Sequence, residues 1–244
     1  MQYTPTKKER RALRRAAKAE ARAQQTNTGH WRRGFNWLLG VVIAGLAIWG
    51  LVVLVQSTQR PAEIISDKLA IAADDWHKGP AEAKATLVEY GDFQCPACKA
   101  AEPTVKKVLA DFKDRVRLVY RDFPLDMGCN PALQRQLHPF ACKAALAANC
   151  ANEQGKFWAY HDVLFERQPA FSDENLKKYA ADLGLVSTQF DACLDSSKHL
   201  DEIKKDLADG SSLGIQGTPT FFVNGRMLSD RTYDDFKAAI ESAQ

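Results

Sequence analysis

The alternation of hydrophobic and polar positions divides the chain into three stretches. Residues 7–24, KKERRALRRAAKAEARAQ, are rich in helix formers but show no apolar face of useful width. Residues 38–55, LLGVVIAGLAIWGLVVLV, carry no charge, and Phe35, Asn36 and Trp37 extend this run to about bilayer length. The pattern predicts one spanning helix over 35–55. Residues 56–79, with Pro61 and mixed polar side chains, predict a tether. From residue 80 onward, strand and helix periods alternate. Residues 85–90 read as a buried strand, 99–112 as a helix and 116–121 as a second strand. Helical patterns follow at 138–151, 155–167, 187–194 and 200–207. Another helix opens at Ser172, an N-cap before Asp173 and Glu174, and runs to Leu183. Residues 220–223 form a strand, Asn224-Gly225 is a hairpin turn, and 226–228 return.

Charge sharpens this division. The 244 residues carry a formal net charge of +3, with 45% hydrophobic and 26% charged residues, which excludes a disordered or fibrous chain. Residues 1–33 hold ten Lys/Arg against Glu9 and Glu20, whereas 56–244 hold 23 basic and 28 acidic groups. An acidic folded part repels phosphates and argues against nucleic-acid binding. The basic tail, with Trp31 and Trp37 as interfacial anchors, predicts that 1–34 stay in the cytoplasm and the C-terminal part lies outside it. A cleaved signal peptide fits less well. The leader is long, and no Ala-x-Ala site follows the apolar run closely. The expectation is an uncleaved signal anchor in an inner or plasma membrane, with a periplasmic or otherwise extracytoplasmic domain.

All six cysteines, at 95, 98, 129, 142, 150 and 193, fall in that outer part, where disulfides persist. Cys95-Pro96-Ala97-Cys98 lies at a strand-to-helix turn. The helix N-terminus there favours a thiolate at Cys95, and Pro96 suits the first helical position because no donor is needed. Cys98, one turn on, can resolve a mixed disulfide. A zinc site would want a second pair of ligands, and the five histidines show no ligand spacing. No metal and no cofactor are expected. Near the C-terminus, Gly217-Thr218-Pro219-Thr220-Phe221-Phe222-Val223-Asn224-Gly225 places a proline just before a strand, where a cis bond is expected.

The ordered pair of motifs resembles the thioredoxin superfamily. Tyr90-Gly91-Asp92-Phe93-Gln94-Cys95-Pro96-Ala97-Cys98 is similar to its DsbA-like branch, especially the membrane-anchored disulfide oxidoreductases. The likeness covers roughly residues 80–244. It implies a thioredoxin-like α/β fold with a helical insert at about 128–213, preceded here by one transmembrane helix. Pro219 resembles the proline that faces the active-site sulfurs, and Thr218 the residue whose backbone pairs with a substrate strand. Glu89 resembles the buried acid that assists proton transfer at the resolving cysteine; the other reading is a strand glutamate open to solvent. Pro103 resembles a proline that kinks the helix. The dipeptide between the cysteines is Pro-Ala rather than Pro-His, so an imidazole that would stabilise the thiolate is missing and the direction of electron flow is open.

Cys129, Cys142, Cys150 and Cys193 remain for structural disulfides. Cys142 and Cys150 lie about 12 Å apart along one predicted helix, too far to pair. Two pairings remain open: Cys129–Cys142 with Cys150–Cys193, or Cys129–Cys150 with Cys142–Cys193; the shorter loop favours the first. The sequence therefore predicts a thiol:disulfide oxidoreductase that introduces disulfides into exported proteins. The resemblance implies a quinone-linked membrane partner of the DsbB or vitamin K epoxide reductase type. The alternatives are an isomerase or reductase, or a chaperone-like module that binds without exchanging electrons.

Overall fold

The computed structural model describes residues 6–58, 68–72 and 75–243; the side chains of 23–36 and 52–58 lie outside the described set. Two compact units result, Met1–Arg60 and Pro61–Gln244. The first contains helix α1, Lys7–Thr58. The span expected at 35–55 falls within α1, and the side chains of 35–36 and 52–55 lie outside the described residues. Among the described residues no helix is long and apolar enough to cross a membrane.

The second unit is built around a sheet. In chain order it runs β1 (Trp76–Lys78), β2 (Ala85–Gly91), α2 (Pro96–Asp111), β3 (Val116–Asp122), α3 (Ala141–Asn152), α4 (Phe157–Arg167) and α5 (Asp173–Asp182). It continues with α6 (Ser187–Ser196), α7 (Leu200–Ser212), β4 (Thr220–Val223), β5 (Arg226–Met227) and α8 (Tyr233–Glu241). The strands lie in the order β1-β3-β2-β4-β5. β2 and β3 are parallel, joined by the crossover helix α2, and β4 pairs antiparallel with β2. Both central strands are covered on two faces, which is why they read as near-continuous apolar runs.

The two faces have different cores. Leu87, Val105, Val108, Phe221, Phe236 and Ile240 fill the side of α2 and α8. Val88, Tyr90, Val119 and Phe222 face the helices α3 to α7, which run between β3 and β4. Because side chains alternate along a strand, Glu89 shares the face of Leu87 and points toward α2.

Local signals account for several boundaries. Ser172 caps α5 by accepting from Asn175 N, and Pro96 occupies the start of α2, which carries Pro103 inside it. Gly91 is required for a different reason: a Cβ there would lie 2.5 Å from the ring of Tyr120. β1 falls in the stretch expected to be a tether. It pairs antiparallel with β3, and the residues before it are held by Arg121, which donates to both carboxylate oxygens of Asp75 at 2.8 Å and to the Ala70 carbonyl at 2.9 Å. Residues 59–67 and 73–74 of that stretch lie outside the described residues.

Candidate active site

Cys95 and Cys98 meet at the junction of β2 and α2. Cys95 is the N-cap of α2, in extended conformation with no side-chain cap, so its sulfur faces the free amides of the first turn. Asp92 holds the turn that delivers it. Its carbonyl accepts from Cys95 N at 3.0 Å, one carboxylate oxygen accepts from Gln94 N at 2.7 Å, and the other from Leu125 N at 2.8 Å. That second oxygen also lies 2.7 Å from His138 Nδ1. From the end of α4, Gln168 Nε2 donates to the carbonyls of Phe93 and Cys95.

The two thiols are free and differ sharply. Cys95 is pulled down to about 5, first by the hydrogen bond that Cys98 donates to it and further by the Thr218 side chain and the amides of Ala97 and Cys98; burial works against this. Cys98, fully buried, is pushed up by burial, by that same donated bond and by the charges of Glu89 and Cys95. One sulfur is thus a thiolate at neutral pH while the other keeps its proton.

Thr218 and Pro219 come from the segment before β4. The Thr218–Pro219 bond is cis, and the Cys95 sulfur lies 3.4 Å from the Thr218 carbonyl oxygen, to which it donates in its thiol form. These residues line a groove of about 370 Å³ that continues past Phe221, Leu228 and Arg231. A larger cavity of about 550 Å³, bounded by Asn224, Arg226 and Asp235, includes none of the predicted site residues.

Glu89 is not open to solvent. It is fully buried, neither carboxylate oxygen has a hydrogen-bond partner among the described residues, and burial together with the charge of Glu102 raises it well above the usual carboxylate range. The structure joins Cys129 to Cys142 and Cys150 to Cys193, the shorter-loop alternative. Both bonds fasten α3: one to the loop after β3, the other to α6.

Several site groups gave no sequence signal. His138, Gln168, Glu102 and His161 are far from the cysteines along the chain or look like ordinary helix residues. His138 is raised first by its bond to Asp92, and the charge of Cys95 adds to this, so protonation of an imidazole near Cys95 is favoured where the Pro-Ala dipeptide supplies none. The histidines lack ligand spacing in sequence, yet the fold gathers Glu102, His161 and Asp162 with ligand atoms within 4.8 Å of one another. Lys106 pairs with both carboxylates, 3.6 Å from Glu102 and 3.0 Å from Asp162. A second such group, Cys150, Cys193 and His199, has its sulfurs committed to a disulfide.

Fold and site together define a thioredoxin-like thiol–disulfide oxidoreductase. The family described as Thioredoxin (Thioredoxin_4) matches residues 72–242, and the chain belongs to it. Several solved structures share its fold. Oxidised BdbD from Bacillus subtilis is 25% identical with a TM-score of 0.61, over 70% of this chain and 92% of that one. Reduced DsbG from Mycobacterium tuberculosis shares the fold, at 24% identity and a TM-score of 0.58, over 73% of this chain and 91% of that one. Among curated relatives, the Na(+)/H(+) antiporter NhaA 1 of Salinispora arenicola is 42% identical over 153 residues, 62% of this chain. The chain spans only 22% of that relative's length.

Proposed function

We propose that the protein is a disulfide-forming oxidoreductase acting on exported proteins. The observation that carries this reading is the asymmetry of the pair. A thiolate at Cys95 stabilises the reduced form relative to the disulfide and so makes the disulfide a good oxidant. In the productive cycle, a substrate thiolate attacks Cys95 of the Cys95–Cys98 disulfide and Cys98 leaves, taking up a proton. A second substrate thiolate then attacks the mixed disulfide, releasing oxidised substrate and the Cys95 thiolate. Thr218 would offer its backbone to the substrate strand beside Pro219.

The catalytic unit is proposed to sit outside the cytoplasm, anchored by residues 35–55 with the basic tail inside. In support, Trp37, Leu38, Val42, Ile43, Leu46 and Trp49 of α1 are exposed around the helix, as expected where lipid is the neighbour. The two disulfides away from the site also suit an oxidising compartment. Reoxidation would fall to a quinone-linked membrane partner of the DsbB or vitamin K epoxide reductase type. Ion transport, named for relatives of which this chain spans 22%, is no part of this reading.

The test is oxidative refolding of a reduced, disulfide-containing protein by the full chain in its disulfide form. The reading requires stoichiometric transfer of the disulfide, abolished in Cys95→Ser, and trapped mixed disulfides in Cys98→Ala. Reduction or reshuffling without net oxidation would mark a reductase or isomerase instead. Refolding assistance that survives in Cys95→Ala would mark a binding module.

A further inference from the structure

Cys98 poses a problem that the exchange chemistry leaves open. When its sulfur attacks the Cys95–substrate mixed disulfide, the Cys95–Cys98 bond forms and the substrate leaves as a thiolate. The proton of Cys98 must then go to a base. In the reverse direction Cys98 leaves as a thiolate and needs that proton back. Neither Cys98 nor Glu89 has any solvent exposure. A proton passed between them must still reach bulk water for turnover to continue.

The face of α2 that Glu89 points toward also carries Glu102, which is buried at 6% exposure. Its Oε1 lies 3.8 Å from Nε2 of His161. His161 is 3% exposed, and among the described residues Nε2 has no hydrogen-bond partner. The other ring nitrogen, Nδ1, lies 3.2 Å from Oδ1 of Asp162, whose side chain is 46% exposed. A carboxylate against Nδ1 holds the proton on that nitrogen and leaves the Nε2 lone pair turned toward Glu102. The imidazole can therefore accept a proton from Glu102 on one side while yielding one to Asp162 on the other.

We propose that Glu102, His161 and Asp162 form the proton exit of the active site, connecting the buried pair of Cys98 and Glu89 to solvent. The proposal rests on the reading of Cys95 and Cys98 as an exchanging pair. Electrostatic coupling supports the inner half of the route, since the charge of Glu102 raises Glu89 and that of Glu89 raises Cys98. At the outer end, Asp162 is held down to about 2, first by the His161 hydrogen bond and further by Lys106, so it releases protons rather than storing them. The titratable groups facing His161 are Glu102 from α2, Asp162 from α4 and Tyr120 from β3, with Lys106 of α2 paired to Asp162 at 3.0 Å. His161, Glu102 and Asp162 are positioning residues in this account, because they act on the sulfurs only through Glu89.

The test is the reaction of the reduced full chain with an aromatic disulfide such as dithiobis-nitrobenzoate, followed by stopped-flow absorbance. The first thionitrobenzoate released reports attack by Cys95, and the second reports attack by Cys98. The variants are His161→Phe, which keeps a ring among Phe93, Tyr120 and Phe165, and Glu102→Gln, which keeps shape and does not depend on the first variant folding. The proposal requires a first phase within about twofold of the parent and a second phase slowed about tenfold or more near neutral pH. The slowed phase should also accelerate with rising pH, because hydroxide takes over from the lost relay. A second phase within about twofold in both variants, or equal slowing of both phases, would overturn it. Failure of the parent chain to release a second thionitrobenzoate would instead overturn the exchange reading beneath it.

Discussion

The sulfur of Cys95 lies 3.4 Å from the carbonyl oxygen of Thr218, 123 residues further along the chain. In the thiol form the S–H donates to that carbonyl. In the thiolate form the same carbonyl faces a negative sulfur and gains nothing from it, whereas the amides of Ala97 and Cys98 do stabilise it. Ionisation of Cys95 therefore frees the Thr218 carbonyl for the N–H of an incoming strand. The charge state that makes the nucleophile also opens the backbone that would position the substrate.

This arrangement sets the reactivity of Cys95. Alkylation of the reduced chain by iodoacetamide should follow a single titration with a midpoint at about 5. In Cys98→Ala the midpoint should rise by on the order of one pH unit or more, because the hydrogen bond from Cys98 is the largest stabiliser of the thiolate. His138→Ala should raise it by less, since the His138 imidazole is bonded first to Asp92 and acts on Cys95 only through its charge. A midpoint near 8.5 would contradict the arrangement.

Stability should fall as the pH rises through the acidic range. Burial lifts Asp122 to about 7, against the opposing hydrogen bond from Asn149, and lifts Asp206 well above its usual range. The unfolded chain releases these protons near pH 4, so between about 4 and 7 the native state binds more of them and loses stability with each unit of pH. The Asp122 shift corresponds to an upper limit of about 4 kcal/mol. Urea denaturation of the disulfide form, in which Cys95 cannot titrate, should show this slope. Asp122→Asn should flatten it and stabilise the protein at pH 8 by on the order of 2 kcal/mol.

Gly91→Ala should destabilise by about 1–3 kcal/mol, since a Cβ at 2.5 Å from the Tyr120 ring forces that ring to move. The same ring stacks on Phe93, two residues before Cys95, at a centroid distance of 5.1 Å. The displacement should consequently be felt at the active site. A variant as stable as the parent in urea would refute this.

Removal of Cys150–Cys193 should cost more than removal of Cys129–Cys142. The loops span 43 and 13 residues, which corresponds to roughly 4 and 3 kcal/mol of loop-closure entropy in the unfolded chain. Paired Cys→Ala variants compared in urea, with Cys95 and Cys98 left intact, measure the difference.

The parts of the site that were legible in the sequence are those written in local chemistry. Cys95 and Cys98 stand where a strand period gives way to a helix period, and Thr218-Pro219 stands just before another strand. Helical rise alone separated Cys142 from Cys150, although spacing left two pairings open. What could not be read depends on contacts across the fold. Gln168 holds the Cys95 carbonyl from 73 residues away, His138 reaches Asp92 across 46, and His161 meets Glu102 only because α4 packs beside α2. β1, three residues long, carries too little pattern to announce itself and exists because β3 has a free edge. The C-terminal helix α8 did have a local signal: Thr232 caps it by accepting from Asp235 N, and Asp234 and Asp235 fill its first turn.

The measurement that bears most directly on the disulfide-forming role is the equilibrium reduction potential of the Cys95/Cys98 pair. The full chain would be titrated against glutathione, with Cys95→Ser as the control. A thiolate held at about 5 predicts an oxidising couple, above about −200 mV and toward the −120 mV or so of DsbA. A value near −270 mV, that of thioredoxin, would contradict the account and make the protein a reductase.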